Sequence, residues 1–501
     1  MLQAADVAWK RGDYQECIET LQRAHRLAPA NTGILLRLGQ VLGLRYDYVA
    51  ADGYFEKALR LAPKKNEMLT AIADQCENFR NPELAERYLR QAVAQPDVTP
   101  PAYIKLAELC ERLRRRPEAA ELVQHALNLN PSYPPALIVH ARLERLAGRL
   151  ETAEQGLRDL LTRPHPNDWT HAQGWYELAT TLDRQEKYDD AITAFNEAKA
   201  FFRPQAARHL AGLKMMRSRL KVMEANVSSA LFQRWSGNIA VLPPPHRLAL
   251  LCGHPRSGTT LLEQVLDSHP DIISAEETNT FIEDAFEPLR RNHSPDAYML
   301  PLLEAAGIPE LQQSRAAYFR SMELSLGGPI ASRLLIDKNP ALTFMIPAFI
   351  RIFPETKFLI ALRDPRDVVL SCFMQNLPLT QIGAAYLSLE GTVEDYSHLM
   401  NNWLKLAPLL TGHYQEVRYE EMVANLESVA RKTLDFLGVP WDAKVLGFDK
   451  HAQQKNVRSP TYADVTQPVY KRAVGRWRNY QKYLEPHLEK LEPFVKAFGY
   501  E

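Results

Sequence analysis

The chain has 501 residues, 46% of them hydrophobic and 24% charged, which is too long for one ordinary domain and has the composition of a folded protein. Sixty basic residues balance sixty acidic ones. That balance excludes a whole-chain polycation made for nucleic acid or an anionic membrane, and it excludes disorder driven by charge.

The opening MLQAADVAWKRGDYQE lacks the apolar core of a signal peptide. No run along the chain approaches the roughly 18–20 apolar residues of a membrane helix. The first 200 residues repeat. Pro29, Pro63, Pro96, Pro131 and Pro164 fall 33 to 35 residues apart, which is a solenoid period, and each closes an amphipathic pair of helices. In the second unit Leu38-Gly39 is followed by Tyr48, Ala51, Phe55, Ala58 and Pro63. The last unit repeats this as Trp175, Leu178-Ala179, Tyr188, Ala191, Phe195 and Ala198. Small residues let two helices touch, and large ones fill the groove beside them. The third and fifth units are more degenerate. These positions resemble the tetratricopeptide repeat, which implies an all-α solenoid of about six helix pairs over residues 1–204. Such a unit has no chemistry of its own, and its concave face is a candidate surface for a protein partner.

Residues 205–245 read as a connector. A helical pattern runs through HLAGLKMMRSRLKVMEANVSSALFQRW, and Pro243-Pro244-Pro245 then ends any helix. From 246 to 501 the pattern becomes α/β. RLALLC (247–252), RLLI (333–336), KFLIAL (357–362) and EVRY (416–419) predict strands separated by helices, and so a central parallel sheet covered on both faces. Ligands bind such sheets at the carboxyl ends of strands. Cys17, Cys76, Cys110, Cys252 and Cys372 are scattered without metal spacing and read as free thiols of a reducing cytoplasm.

The strongest segment is LLCGHPRSGTTLLEQVLDSHP, residues 250–270. A strand ends in Gly253, a turn holds Pro255 to Thr260, and an amphipathic helix follows. The N–H groups opening a helix carry the positive end of its dipole. Gly258 admits an anion close to the backbone, Ser257, Thr259 and Thr260 add hydroxyls, and Arg256 adds a cationic fork. A nucleoside-triphosphate loop would need a lysine where Thr259 stands, which argues against a kinase or ATPase. A glycine turn that merely caps a helix would leave Arg256 and the hydroxyls unexplained.

This segment resembles the sulfotransferase loop for the 5′-phosphosulfate end of 3′-phosphoadenosine 5′-phosphosulfate (PAPS). FLIALRDPRDVVLSCFMQ resembles that family's second element, which implies that Arg363 and Ser371 hold the 3′-phosphate. VRYEEMVANLESVARKTLDFLGV resembles a third, which implies that Tyr419 lies near the adenine; an ordinary core tyrosine is the alternative. Together these imply an α/β, P-loop-like sulfotransferase domain over 246–501 that uses PAPS and needs no metal.

Glu276-Glu277-Thr278 resembles a segment of the tyrosylprotein sulfotransferases, which implies that Glu277 is the general base. Neither His254 nor His269 stands where the small-molecule sulfotransferases keep a histidine. LLIDKNPALT resembles the turn whose lysine contacts the transferring sulfonate, so Lys338 and Arg256 are the implied catalytic cations, with Asp337 a candidate to fix Lys338. From Lys450 to Lys482 eight Lys or Arg meet one acid, Asp464, among Tyr462, Tyr470, Gly475 and Trp477. The family closes its cofactor site with a similar segment, which implies Ser459 near the sulfonate. Gln467 and Gln375 depart from cationic positions of the family, and Lys471 or Arg472 is the expected replacement. The expected acceptor is a hydroxyl of a protein tyrosine, a carbohydrate or a small metabolite. The other classes are a tetratricopeptide scaffold with an inactive nucleotide-binding domain, and a P-loop kinase.

Overall fold

The computed structural model describes residues 1–163, 169–237, 241–242, 246–291, 293–294, 297–454 and 472–500. Pro164 and Pro243 to Pro245 lie outside them. Contacts divide the chain into Met1–Ala198 and Lys199–Glu501.

The first unit holds six helix pairs among the described residues, from Leu2–Lys10 with Tyr14–Leu27 to Trp169–Arg184 with Tyr188–Ala200. In every pair the turn between the helices contains one left-handed residue. These are Gly12 (φ 74°), Tyr46 (65°), Arg80 (61°), Arg114 (66°), Gly148 (82°) and Glu186 (60°). The next N–H then reaches back five residues, as from Asp47 to the Leu42 carbonyl (3.0 Å) and from Asn81 to that of Cys76 (2.9 Å). This satisfies carbonyls that a helix end would leave unpaired. Asp13, Asp47 and Asn81 also cap the second helix through their side chains.

The core between these helices follows from the small and large residues of the repeat. The buried Phe55 ring lies against Gly39, where a Cβ would come within 2.2 Å of it. Phe79 lies against Gly43 in the same way. Ion pairs join positions about one repeat apart, among them Arg37–Asp6 (2.9 Å), Arg142–Glu177 (2.6 Å) and Lys187–Glu154 (2.7 Å).

Among the described residues the second unit is built on five parallel strands: β1 (Leu248–Gly253), β2 (Ile272–Glu276), β3 (Leu334–Lys338), β4 (Lys357–Leu362) and β5 (Tyr414–Arg418), in the order β2-β3-β1-β4-β5. All of β1 is buried, as expected of a central parallel strand. Strand β2 was not among the expected runs, because IISAE is short and mixed and follows directly on a His-Pro turn. The chain leaves β1 for one side of the sheet and returns to the other, so the carboxyl end of β1 is a topological switch point.

The helix Ala207–Asn226, expected within a connector, packs inside the second unit. Arg217 pairs with Glu394 (3.4 Å) and Asp395 (3.3 Å), and Glu224 accepts from Lys405 (2.6 Å). Among the described residues no helix is long and apolar enough to cross a membrane.

Candidate active site

Gly258 (φ 93°) opens the helix Thr259–Asp267 that follows β1. A Cβ there would come within 2.7 Å of the Tyr419 ring, and one on Gly253 (φ 135°) within 2.4 Å of the Ala361 carbonyl. Both glycines are therefore demanded by packing as well as by backbone angle. Arg256 also has a left-handed backbone (φ 72°). Its Nε donates to Ser371 Oγ (3.1 Å), and its carbonyl accepts from Arg363 (3.3 Å).

Arg363 follows β4, and Ser371 lies within the helix Pro365–Phe373. The two residues expected to share one anion thus bracket Arg256. Arg363 Nε is buried and has no hydrogen-bond partner among the described residues. The same guanidinium lies 5.1 Å from the centre of the Tyr419 ring and donates to the Ala473 carbonyl. Asp367 accepts from the backbone N–H of Gly475 (2.7 Å) and Trp477 (2.8 Å), and Arg366 stacks on Trp477 (4.2 Å). Residues 472–480 are thereby docked on the turn that carries Arg363.

The second cluster lies at the carboxyl ends of β2 and β3, where Glu276 and Lys338 are register partners. Lys338 is wholly buried. Its Nζ donates to Glu277 (2.9 Å) and Glu276 (3.3 Å) and stands 3.5 Å from Glu263. Burial alone would push the ammonium's pKa down. The carboxylates of Glu263, Glu276 and Glu277 outweigh burial and hold it above that of a free lysine, so Lys338 stays cationic at neutral pH. Glu277 has a left-handed backbone (φ 49°), and its N–H donates to the Lys338 carbonyl (2.7 Å). This turn brings two adjacent glutamates to one lysine.

Asp337 does not fix Lys338. Neighbouring strand residues point to opposite faces of a sheet, and Asp337 instead accepts from Tyr318 (2.9 Å). Burial pushes its pKa up to about 7. His254 and His269 are both buried and hydrogen-bonded to backbone. Burial lowers the pKa of His254.

Among the expected residues, Arg256, Arg363 and Ser371 meet at the end of β4, and Glu277 and Lys338 meet at the ends of β2 and β3. Ser257, Thr259 and Thr260 are buried in the loop and the first turn of its helix. Tyr419 is 8% exposed and packs with the core beneath β5. Arg472 is exposed. Ser459, Lys471 and Gln467 lie outside the described residues. Glu263 was not anticipated. Its signal in the sequence is an acid on the apolar side of the loop helix, among Leu262, Val265 and Leu266.

Residues 249–443 match the sulfotransferase family, and residues 2–66 match the tetratricopeptide repeat. The chain thus joins a tetratricopeptide region to a sulfotransferase-family domain. It is 28% identical over 355 residues to an uncharacterized protein of Aquifex aeolicus (strain VF5), covering 68% of this chain and 44% of that one. It is 25% identical over 263 residues to protein-tyrosine sulfotransferase A of Caenorhabditis elegans, covering 50% and 66%. It is 28% identical over 268 residues to the protein-tyrosine sulfotransferase of Drosophila melanogaster, covering 51% and 52%. The chain spans about half the length of the curated relatives it matches.

Proposed function

We propose that this chain transfers a sulfuryl group from PAPS to an acceptor hydroxyl. The observation that carries the proposal is the pairing of buried Lys338 with the partly exposed Glu277, a cation and a base 2.9 Å apart, at the carboxyl end of the same sheet as the Arg256–Ser371–Arg363 cluster. These residues suit a donor with phosphates at two ends. The loop helix offers a positive N-terminus, and Arg363 keeps a buried donor unsatisfied among the described residues.

When bound, the donor supplies a sulfonate activated by a phosphate leaving group. Arg256, Ser257, Gly258, Thr259 and Thr260 hold its 5′ end. Arg363 and Ser371 hold the 3′-phosphate, with Tyr419 beside them and Lys471 or Arg472 as the further cation. Ser459, outside the described residues, is assigned to the sulfonate by the family resemblance alone. Glu277 takes the acceptor's proton, and Arg256 and Lys338 neutralise charge on the leaving side. The two roles are coupled. Once Glu277 is protonated it no longer holds Lys338 as an ion pair, and the lysine's charge turns to the leaving group as that charge develops.

The acceptor is a hydroxyl on a polypeptide or glycan, with protein tyrosine the first to test, because relatives of this chain are named protein-tyrosine sulfotransferases and a repeat unit offers surface for a macromolecule. A cytoplasmic location is proposed on the five buried, unpaired cysteines. The test is transfer of labelled sulfate from PAPS to pools of tyrosine peptides and glycans. Transfer that falls about 10²–10⁴-fold in Glu277→Gln supports the proposal, and full activity in that variant would remove Glu277 from it. Thermal stabilisation by Mg-ATP but not by adenosine 3′,5′-bisphosphate would overturn the donor assignment.

A further inference from the structure

Glu263 is a carboxylate with no role in the scheme above, yet it is wholly buried. It sits on the helix Thr259–Asp267, one turn beyond the anion loop, and every residue from Thr259 to Leu266 there is buried. The amphipathic pattern would place an apolar residue at this position. A buried carboxylate costs several kcal/mol unless it is paired and hydrogen-bonded, and here it is both. Its Oε1 accepts from Ser274 Oγ at 2.7 Å, and its Oε2 lies 3.5 Å from Lys338 Nζ. Ser274 belongs to β2, two residues before Glu276 and so on the same face, and its N–H donates to Asp267 of the loop helix (2.7 Å). One helix thus holds β2 through Ser274 and β3 through Lys338.

Lys338 has three donor hydrogens and four rotatable bonds. Two of its carboxylates, Glu276 and Glu277, follow one another at the end of β2. With those alone the ammonium would be drawn towards the strand end. Glu263 pulls from the helix that also carries Thr259 and Thr260. We propose that Glu263 is a positioning residue that acts through Lys338, fixing its ammonium relative to the anion loop. The inference rests on the sulfotransfer proposal for its kinetic consequence, but the contact itself stands apart from that proposal.

The test uses the full chain carrying Glu263→Gln, which keeps the acceptor for Ser274 and removes the charge. With PAPS as donor, kcat per folded molecule should fall about 10- to 100-fold while the KM for PAPS changes less than about threefold. In a Lys338→Met background the same change should have almost no further effect, because residues acting as a unit are non-additive. The second readout needs no turnover. With lysine labelled at its ε-carbon, the NMR titration of Lys338 should move down in Glu263→Gln. Unchanged kcat and unchanged Lys338 titration in folded Glu263→Gln would overturn the inference. Equal losses in both backgrounds would reduce Glu263 to a structural role and overturn it as well. If the wild-type chain transfers nothing from PAPS, the proposed function fails, and the Lys338 titration alone decides Glu263. If Glu263→Gln does not fold, Ser274→Ala is read in its place and should move both quantities the same way by less.

Discussion

The two units use the same backbone conformation for opposite ends. In the repeat unit the left-handed residues are Gly12, Tyr46, Arg80, Arg114, Gly148 and Glu186, and each does the same geometric task at the same point of its pair. Glycine, tyrosine, arginine and glutamate all occur there, so the conformation does not depend on one residue type. In the sheet unit the left-handed non-glycine residues include Arg256 and Glu277, and there the side chains meet at the candidate site. Arg256 donates to Ser371 and Glu277 accepts from Lys338, contacts that a glycine at either position could not make. Support differs in the same way. A repeat leans on its neighbours, whereas Lys338 ties a helix and two strands.

The sharpest way to break that contrast is Lys338→Met. It strands three carboxylates, two of them buried, and should destabilise the sheet unit by about 3–5 kcal/mol. Hydrogen exchange measured by mass spectrometry should rise across β1, β2 and β3 together and leave Met1–Ala198 unchanged; a rise confined to β3 would refute the shared support. Next comes Gly39→Ala, whose new methyl group overlaps Phe55 and should cost about 1–3 kcal/mol. Its exchange should rise in the second pair and the pairs beside it, fading along the repeats.

A pH experiment separates the units further. The Asp337 pKa is raised from 3.8 to about 7 in the folded state. The folded chain therefore keeps a proton that the unfolded chain loses, and stability falls as pH rises from about 4 to about 7, by up to about 1.4 kcal/mol per pH unit. Asp337→Asn keeps an acceptor for Tyr318 and should flatten that fall in urea titrations at pH 5 and pH 8. An unchanged slope would show that Asp337 ionises freely. The smallest effect is Arg80→Gly or Arg114→Gly, each expected to stabilise the repeat unit by up to about 1 kcal/mol. Arg256→Gly relieves the same strain and should abolish the proposed transfer while leaving the melting temperature unchanged or slightly higher.

How much could be read in advance also follows this division. The repeats were legible because their contacts recur locally, so Gly39 and Phe55 announce each other in one stretch of sequence. The left-handed Tyr46, Arg80 and Arg114 were not, since nothing in those residue types marks the conformation. In the sheet unit the strands β1, β3, β4 and β5 stood out as apolar runs, and the glycines and the arginine marked the turn between β1 and its helix. Strand β2 and Glu263 were hidden for one reason. Each is defined by a partner far along the chain, β2 by its pairing with β3 and Glu263 by Lys338, and neither partner leaves a trace in its own neighbourhood. Asp337 was misassigned because adjacency in sequence says nothing about which face of a strand a side chain takes.

The central place of β1 has a consequence for synthesis. Leu251 pairs with Lys338, and Gly253 with Ala361, so the first strand made is also the one whose two partners come much later. At about 5–20 residues per second the ribosome needs on the order of ten seconds to supply them. The repeats are complete by then, each needing only the next. For that interval Leu248 to Cys252 is an apolar strand with two open edges. Chaperone demand and aggregation during expression should therefore concentrate on that strand.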